Sequence, residues 1–223
     1  MRKPVREGAP DLQTSGGAPK VYVVDDDPSV RRALVRLLRS EGLSATSFAS
    51  AEELLAGVTP DPTPACLVVD LHMPRLSGLD LQDLLAEQGL EMALVFISGR
   101  ANVASGVRAM KGGAVDFLEK PFSDRALFDA VSRGLEQDRT RKAQRADVAV
   151  LQARLLSLTP RERDVFGLVV TGLPNKQVGA ELGTAEKTVK VHRARVMQKM
   201  EAGSLAELVR MADRLGSRGS TDR

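Results

Sequence analysis

The sequence has few of the residues that build disulfides and zinc sites, and it lacks long apolar runs. It contains one cysteine and two histidines in 223 residues, which excludes an internal disulfide and leaves out the usual zinc ligands. Cys66 lies inside an apolar run, so we assign it to the core and give it no chemistry. No apolar run approaches the roughly 20 residues that cross a bilayer, and the first residues lack the apolar segment of a secretory signal. We therefore expect a cytosolic protein with no membrane partner.

The formal net charge of +3 hides two segments of opposite sign. Residues 20–138 contain 12 Lys and Arg against 18 Asp and Glu, whereas residues 139–223 contain 17 against 9. With 43% hydrophobic residues, the chain is long enough for one large domain or two modest domains, each able to bury its own core. An acidic first part and a basic second part predict different partners for the two.

Apolar strand-like runs alternate with helical patterns from Lys20 onward. The patterns predict strands near 20–25, 43–48, 65–71, 93–98 and 114–119, with helices near 28–41, 51–56, 78–87 and 102–111. This alternation is typical of an α/β doubly wound fold with a five-stranded parallel sheet. A fifth helix begins near Asp124 and continues into a highly charged stretch without Pro or Gly, which predicts a helical linker.

Carboxylates end two of the predicted strands. Asp25–Asp27 follow the apolar run Val21–Val24, and Asp70 follows Ala65–Val69. Parallel strands bring these ends to one edge of the sheet, the edge where open α/β sheets bind ligands. At about 5 Å and an effective dielectric constant of about 20, each carboxylate pair repels by roughly 3 kcal/mol, so a cation is required. Oxygen ligands with room for water and a phosphoryl group suit Mg²⁺. Asp27 precedes a proline, so we interpret it mainly as the N-cap of the following helix and not as part of this site.

Two more polar side chains follow the last two predicted strands. Ser98 ends the fourth strand, where its hydroxyl could hydrogen-bond a phosphoryl oxygen. Lys120 follows the fifth strand, where its ammonium could neutralise the carboxylates and bind a phosphoryl oxygen. A serine before a glycine is as often an ordinary loop residue, and a single lysine is usually solvated. The interpretation therefore depends on the shared sheet edge.

These residues together resemble the receiver domain of bacterial two-component response regulators, over residues 20 to about 136. The motifs that carry the resemblance are Val24-Asp25-Asp26, Asp70 with Met73-Pro74 and Gly78, Ser98-Gly99, and residues 113–122. The resemblance implies that Asp70 is the phosphoacceptor and that Mg²⁺ is bound by Asp25, Asp26, Asp70 and the backbone carbonyl of His72. It also implies that Lys120, before a cis Pro121, stabilises the acyl phosphate, and that the switch pair is Ser98 and Phe117.

Two of these positions are variants within the family pattern. Ser98 stands where Thr is commoner, and Phe117 stands where Tyr often occurs. Because Phe117 has no phenolic hydroxyl, its part in switching must depend on packing. We place the His72 side chain on the loop surface and do not count it as a metal ligand.

The basic part of the chain contains the signals of a small helical domain. Thr159, Pro160 and Glu162 form a capping box that opens an amphipathic helix. After a turn at 172–174, a short helix over Asn175–Leu182 stops at Gly183, and a second helix runs from about Ala185 to Met200. Two helices joined by a tight glycine turn indicate a helix-turn-helix motif.

Helical geometry sorts the second helix into two faces. Val189, Val196 and Met200 share the side that faces a core, and His192 borders that side as a packing or capping residue. The groove-facing candidates on the opposite side are Lys187, Lys190, Val191 and Ala194. The candidates for phosphate contacts are Thr188 and Arg195 on the flank, with Asn175 and Lys176 on the preceding helix.

Residues 156 to about 215 resemble the LuxR-type output domain of FixJ/NarL-type regulators. The motifs are those at 158–162, 172–176 and 188–193. In this family the last helix, here Ser204 to Leu215, also supplies a dimer contact. We therefore divide the chain into a disordered tail (1–19), a receiver domain (20–136), a helical linker (137–155), a LuxR-type helix-turn-helix domain (156–217) and a flexible tail (218–223).

The favoured hypothesis is a transcription regulator controlled by phosphorylation. A histidine kinase would phosphorylate Asp70, two copies would associate through the fourth helix and fifth strand, and two recognition helices would bind half-sites in double-stranded DNA. RNA polymerase is a further candidate partner. Beyond taking a phosphoryl group from phosphohistidine and hydrolysing its own acyl phosphate, the chain is not expected to be an enzyme.

Two alternatives stay open. In the first, Asp25-Asp26-Asp27-Pro28-Ser29 is the nucleophile motif of a haloacid-dehalogenase-like phosphatase, although Ser29 stands where Thr or Val is preferred and the basic helical part is then unexplained. In the second, the acidic domain is a receiver but the basic domain binds RNA. Turnover of acetyl phosphate distinguishes the first from the regulator, and salt-dependent, sequence-selective binding to duplex DNA distinguishes the second.

Overall fold

The computed structural model describes residues 17–99 and 103–216 and divides the chain into two compact units, with the division between Lys142 and Ala143. The predicted tails lie outside the described residues except for residues 17–19, which are irregular. Residue 102, the predicted start of the fourth helix, also lies outside them. Within the described ranges, no helix is long and apolar enough to span a bilayer.

The first unit is a parallel sheet with helices between its strands. The strands are β1 (Lys20–Val24), β2 (Ser44–Phe48), β3 (Ala65–Asp70), β4 (Ala93–Ser98) and β5 (Asp116–Glu119). The helices are α1 (Pro28–Ser40), α2 (Ala51–Gly57), α3 (Gly78–Glu87), α4 (Val103–Lys111) and α5 (Asp124–Leu156). The strand order is β2-β1-β3-β4-β5 and every pair is parallel, which confirms the predicted fold class.

The central strands are apolar because both faces of the sheet are covered by helices. All six residues of β3 and all six of β4 are buried. Side chains such as Leu67 and Phe96 pack in the core on one face, and Val68 and Val95 pack in the core on the other. β5 begins two residues later than predicted, because Ala114 still closes α4 through a hydrogen bond from its N–H to the Ala109 carbonyl (3.1 Å).

The strand register brings the polar strand ends to one level. Val24 pairs with Val69, so Asp25 and Asp70 follow directly after paired positions on neighbouring strands. Ser98 pairs with Glu119, the residue before Lys120. The sheet therefore gathers the acidic, hydroxyl and ammonium groups at its carboxyl edge, as the strand pattern predicts.

The first residues of the predicted linker make their contacts with the first unit. Asp138 on α5 is fully buried, and its carboxylate accepts hydrogen bonds from the Ala65 backbone N–H (2.8 Å) and the Arg141 guanidinium. Lys142 also forms a salt bridge with Asp138 (2.9 Å) and donates to the Thr63 carbonyl (2.6 Å). The linker is helical as predicted, whereas the domain boundary at residue 137 stays a prediction.

The second unit packs short helices around a small core. Besides the end of α5 it contains α6 (Pro160–Val169), α7 (Asn175–Glu181), α8 (Glu186–Met200) and α9 (Leu205–Gly216). Val189, Val196 and Met200 are fully buried, which confirms the predicted inner face of α8. On α9, Leu208 is buried and Leu205, Val209 and Ala212 are partly buried, and Leu205 and Leu208 pack in this core.

A buried ion pair supports the start of α6. The Glu162 carboxylate accepts hydrogen bonds from Lys199 Nζ (2.7 Å) and from the Thr159 backbone N–H (2.9 Å), and Thr159 Oγ1 in turn accepts from the Glu162 backbone N–H (3.3 Å). The predicted capping box is therefore confirmed. The hydrogen bond from Lys199 is the main cause that lowers the pKa of Glu162 from 4.5 to about 2.

We expect Glu162→Gln to lower the free energy of unfolding at pH 7 by about 2 kcal/mol, since a charge-assisted hydrogen bond is lost. Because the pKa of Glu162 is lowered on folding, its stabilisation is fully present above pH 4.5 and is lost as the pH falls towards 2. Urea unfolding of both proteins across this range checks the prediction. A difference that stayed constant from pH 7 to pH 2 would contradict it.

Candidate functional site

Lys120 joins two buried carboxylates at the carboxyl edge of the sheet. Its Nζ lies 2.8 Å from Asp25 Oδ2 and 2.7 Å from Asp70 Oδ1. Asp25 is 1% exposed and Asp70 is 7% exposed. The structure thus brings together the ends of β1, β3 and β5, and an ammonium group offsets the carboxylate repulsion that the sequence predicts.

Backbone groups fix the remaining oxygens of the two carboxylates. The Asp27 N–H donates to Asp25 Oδ1 (2.9 Å), and the His72 N–H donates to Asp70 Oδ2 (2.8 Å). Arg31 on α1 donates from Nη1 to the Asp25 backbone carbonyl (2.6 Å). Sequence reasoning missed Arg31, because the pattern of an amphipathic helix does not indicate which group an arginine on it will contact.

The two carboxylates also control the charge of Lys120. Burial lowers the pKa of Lys120, but the hydrogen bonds to Asp25 and Asp70 outweigh burial, so the pKa is raised above 10.5. Lys120 is therefore charged at neutral pH. A permanent cation at this position can stabilise a negatively charged group bound at Asp70.

The carboxylate oxygens of this site are the kind of ligand that a hard divalent cation prefers. Asp25 and Asp70 supply carboxylate oxygens, and each oxygen keeps a lone pair after the hydrogen bond it accepts here. Asp26 is exposed beside them. Among residues 17–99 and 103–216, no three His, Cys, Asp or Glu side chains are already gathered as a metal site. The predicted set of Asp25, Asp26, Asp70 and the His72 carbonyl stays a prediction.

We expect Lys120→Met to lower the free energy of unfolding by about 2 kcal/mol. Loss of one partner from a buried ion pair costs roughly 3–5 kcal/mol, and the partial exposure of Lys120 reduces this. Mg²⁺ should stabilise the variant more than the wild type, because the two carboxylates then lack their ammonium partner. Urea unfolding with and without Mg²⁺ measures both effects, and Lys111→Met, an exposed change on α4, is the control. Equal stability of Lys120→Met and wild type would contradict the prediction.

Ser98 and Phe117 lie on neighbouring strands near this edge. Ser98 is fully buried, and its Oγ is 3.2 Å from Nδ1 of the His72 imidazole. The Phe117 ring stacks on Phe96 with a centroid distance of 6.4 Å. This contact agrees with a role for Phe117 that depends on packing. The Lys120–Pro121 peptide bond is cis, as the resemblance implied.

The structure also bears on two further sequence interpretations, those of Asp27 and Cys66, and on one residue of the receiver motif, Gly78. Asp27 is the N-cap of α1, where its carboxylate accepts from the Ser29 N–H (2.7 Å). Cys66 is fully buried, in agreement with its assignment to the core, and burial raises the pKa of its thiol to about 12. A Cβ at Gly78 would lie 2.6 Å from the Asp70 carbonyl oxygen, so only glycine lets α3 begin this close to the phosphoacceptor candidate.

The predicted outer face of α8 is exposed in the second unit. Val191, in the middle of α8, is 47% exposed. The other predicted contact residues on α8 are exposed too: Lys187, Thr188, Lys190, Ala194 and Arg195. Together they form one basic surface that also carries apolar groups, which is the composition that major-groove contacts require.

On α7, Lys176 is exposed and Asn175 is half-buried. Asn175 Oδ1 accepts a hydrogen bond from Arg193 Nη1 on α8 (3.0 Å), which leaves its amide N–H₂ as a donor. Sequence reasoning missed this role of Arg193. His192 is half-buried, and its Nδ1 is buried without a hydrogen-bond partner among the described residues, in keeping with the predicted packing role.

A lysine-bridged carboxylate pair at the edge of a parallel sheet, joined to a helix-turn-helix unit, defines a signal-responsive regulatory protein. Residues 21–132 match the family model of the response regulator receiver domain, and residues 156–212 match that of the bacterial regulatory proteins of the luxR family. The chain belongs to the response regulators that combine a receiver domain with a LuxR-type DNA-binding domain. It is a transcription regulator and not a classical enzyme, so the phosphatase alternative loses its support.

Several known proteins and solved structures match this chain over most of its length and over most of their own. Nodulation protein W of Bradyrhizobium diazoefficiens is 52% identical over 196 residues, which are 88% of this chain and 86% of that protein. The transcriptional regulatory protein FixJ of Rhizobium meliloti is 43% identical over 192 residues, 86% of this chain and 94% of that protein. A low-resolution structure of the response regulator StyR is 43% identical, with a TM-score of 0.79, and covers 89% of this chain and 100% of that chain. Full-length FixJ from B. japonicum is 38% identical, with a TM-score of 0.52, and covers 92% and 99%.

Proposed function

We propose that this regulator is switched by phosphorylation of Asp70 by a histidine kinase. The observation that carries the proposal is the position of Lys120 Nζ within 2.8 Å of both Asp25 and Asp70. Asp70 is the central carboxylate of the group, since it ends β3, between β1 and β4 in the sheet. A phosphoryl group on Asp70 would adjoin a permanent cation and a buried serine hydroxyl.

Each residue of the site has a separate task in this proposal. Asp70 is the nucleophile, and Asp25, Asp26 and Asp70 with the His72 carbonyl would hold Mg²⁺, which would neutralise phosphoryl charge. Lys120 binds a phosphoryl oxygen. Ser98 donates a hydrogen bond from its hydroxyl to another phosphoryl oxygen, and Phe117 repacks against Phe96 as β4 and β5 adjust.

We propose further that the phosphorylated chain forms a homodimer through α4 and β5. Val103, Val107 and Met110 form a stripe on α4, and all three are exposed, Val103 at 84%. Their spacing of four and three residues places them on one helical face. An exposed apolar face of this kind supports a protein–protein contact with a second copy.

Double-stranded DNA is the proposed ligand of the exposed face of α8. Lys187, Lys190, Val191 and Ala194 would face base edges, and Thr188, Arg195, Asn175 and Lys176 would face the phosphate backbone. Two copies would place two such helices on half-sites one helical turn apart. A contact with RNA polymerase would follow binding at a promoter and is part of the same proposal.

Incubation with acetyl phosphate and Mg²⁺ tests the phosphorylation step. We expect the intact protein to gain the mass of one phosphoryl group and to lose it in hydroxylamine, which cleaves an acyl phosphate. The labelled protein should also elute as a dimer. Absence of any label would contradict the proposal, and rapid multiple turnover that requires Asp25 would favour the phosphatase alternative.

A second experiment tests the output. Binding to duplex DNA with a steep dependence on salt and a clear sequence preference is expected, because Lys and Arg side chains release counterions from phosphates. Equal or tighter binding to RNA of the same sequence would favour the RNA alternative.

A further inference from the structure

The side chain of His72 contacts the switch residue from outside the sheet. His72 is exposed, but its Nδ1 lies 3.2 Å from Oγ of Ser98, which is fully buried at the end of β4. The His72 backbone N–H is itself bound to Asp70 Oδ2 (2.8 Å). One residue therefore links the proposed phosphoacceptor, through its main chain, to the proposed switch hydroxyl, through its side chain.

The Ser98 hydroxyl can donate only one hydrogen bond, so its contact with His72 competes with any other acceptor. A hydroxyl has one proton to donate, whereas a phosphoryl oxygen can only accept hydrogen bonds. A neutral imidazole with its proton on Nε2 presents Nδ1 as an acceptor. A Ser98 hydroxyl that donates to His72 is therefore not free to donate to a phosphoryl group on Asp70.

We propose that His72 is a positioning residue that holds the Ser98 hydroxyl away from the phosphoryl site until that site is filled. The inference rests on the proposed phosphorylation of Asp70. Ser98 has a single side-chain torsion to change, and its staggered rotamers direct Oγ to separate partners. Phosphorylation replaces the imidazole acceptor with a negatively charged one, which forms the stronger hydrogen bond.

The expected effect of His72 is modest and measurable. A phosphoryl group must displace one neutral hydrogen bond, so loss of the imidazole should favour the phosphoryl-bound rotamer about three- to tenfold. Because the His72 side chain is exposed, its replacement leaves the core of the sheet intact. The backbone N–H and carbonyl of residue 72 are retained in every variant.

Beryllofluoride with Mg²⁺ is the probe, as a stable mimic of the phosphoryl group. His72→Leu removes the acceptor and should bind beryllofluoride about three- to tenfold more tightly than wild type in a titration followed by NMR. His72→Asn offers an amide oxygen close to the position of Nδ1 and should restore the wild-type affinity. In the wild type, the ¹⁵N signal of His72 Nδ1 should be that of an unprotonated, hydrogen-bonded nitrogen and should change when beryllofluoride binds.

Ser98→Ala separates this role from a general effect of residue 72. In that background His72→Leu should no longer change beryllofluoride affinity, since the hydroxyl is absent. Unchanged or weaker binding by His72→Leu alone, or a protonated Nδ1, overturns this inference but leaves the phosphorylation of Asp70 standing. If wild-type protein fails to bind beryllofluoride, both the inference and the proposed function fail.

Discussion

Asp70→Asn is expected to abolish labelling by acetyl phosphate and, with it, phosphorylation-dependent dimerisation. In the proposed reaction the carboxylate oxygen of Asp70 is the attacking atom, and the amide of asparagine is neutral and a poor nucleophile at this step. The substitution preserves the size of the side chain and leaves Lys120 paired with Asp25. The loss should therefore arise from chemistry and not from unfolding, which circular dichroism and urea unfolding can verify beside the mass measurement.

Two matched variants make the result specific. Asp129→Asn makes the same change at an exposed position of α5 and should label like the wild type. Asp25→Asn should slow labelling, because Mg²⁺ loses a proposed ligand, but any phosphoryl group that is added should still be found on Asp70. Labelling of Asp70→Asn at the wild-type rate would show that another residue is the acceptor.

The acidic site was predictable because its position is determined by where the apolar strands end and by how parallel strands are arranged. Apolar runs that end in Asp25 and Asp70 predict neighbouring parallel strands, and the observed pairing of Val24 with Val69 places the two carboxylates at one level. Their repulsion in turn predicts a nearby cation. Lys120, at the end of the last strand, is the lysine that the sheet brings there.

The contacts that tune the site were not predictable from local patterns. His72 and Ser98 are 26 residues apart, and Asp138 and Ala65 are 73 apart, so each pair meets only after the sheet has formed. Periodicity states which face a residue occupies and says nothing about the partner of its polar end. Arg193 was missed for the same reason, since its partner Asn175 lies on another helix of its unit. Arg31 donates to a backbone carbonyl six residues earlier, and no sequence pattern marks that acceptor.

The proposed phosphorylation of Asp70 would add negative charge to a site that already has more carboxylates than ammonium groups. Two buried carboxylates share one ammonium group, so an added phosphoryl group introduces more negative charge than Lys120 alone can offset. A divalent cation removes that excess, which is why the proposed reaction depends on Mg²⁺. The same excess of negative charge would strengthen a hydrogen bond from the Ser98 hydroxyl to the phosphoryl group.

Lys190→Ala is expected to weaken binding to a specific duplex roughly 5- to 150-fold, as a lost contact to a base or phosphate costs about 1–3 kcal/mol. Lys190 is exposed on the face of α8 opposite Val189 and Val196, so its side chain contributes nothing to the core. Phosphorylation of Asp70 should be unaffected. Electrophoretic mobility shift with the phosphorylated protein measures the change.

The salt dependence of the variant identifies which contact was lost. A contact to a guanine edge should relax the sequence preference at one position, whereas a phosphate contact should weaken all sequences alike and reduce the salt slope by about one ion. Arg36→Ala removes the same charge from an exposed position of α1 in the first unit and should bind DNA within about twofold of the wild type, since a charge outside the contact acts only through electrostatics that salt screens. If Lys190→Ala and Arg36→Ala bind equally well, α8 does not present this face to DNA. If Lys190→Ala unfolds instead, Lys190 is part of the core, and the division of α8 into an inner and an outer face is wrong.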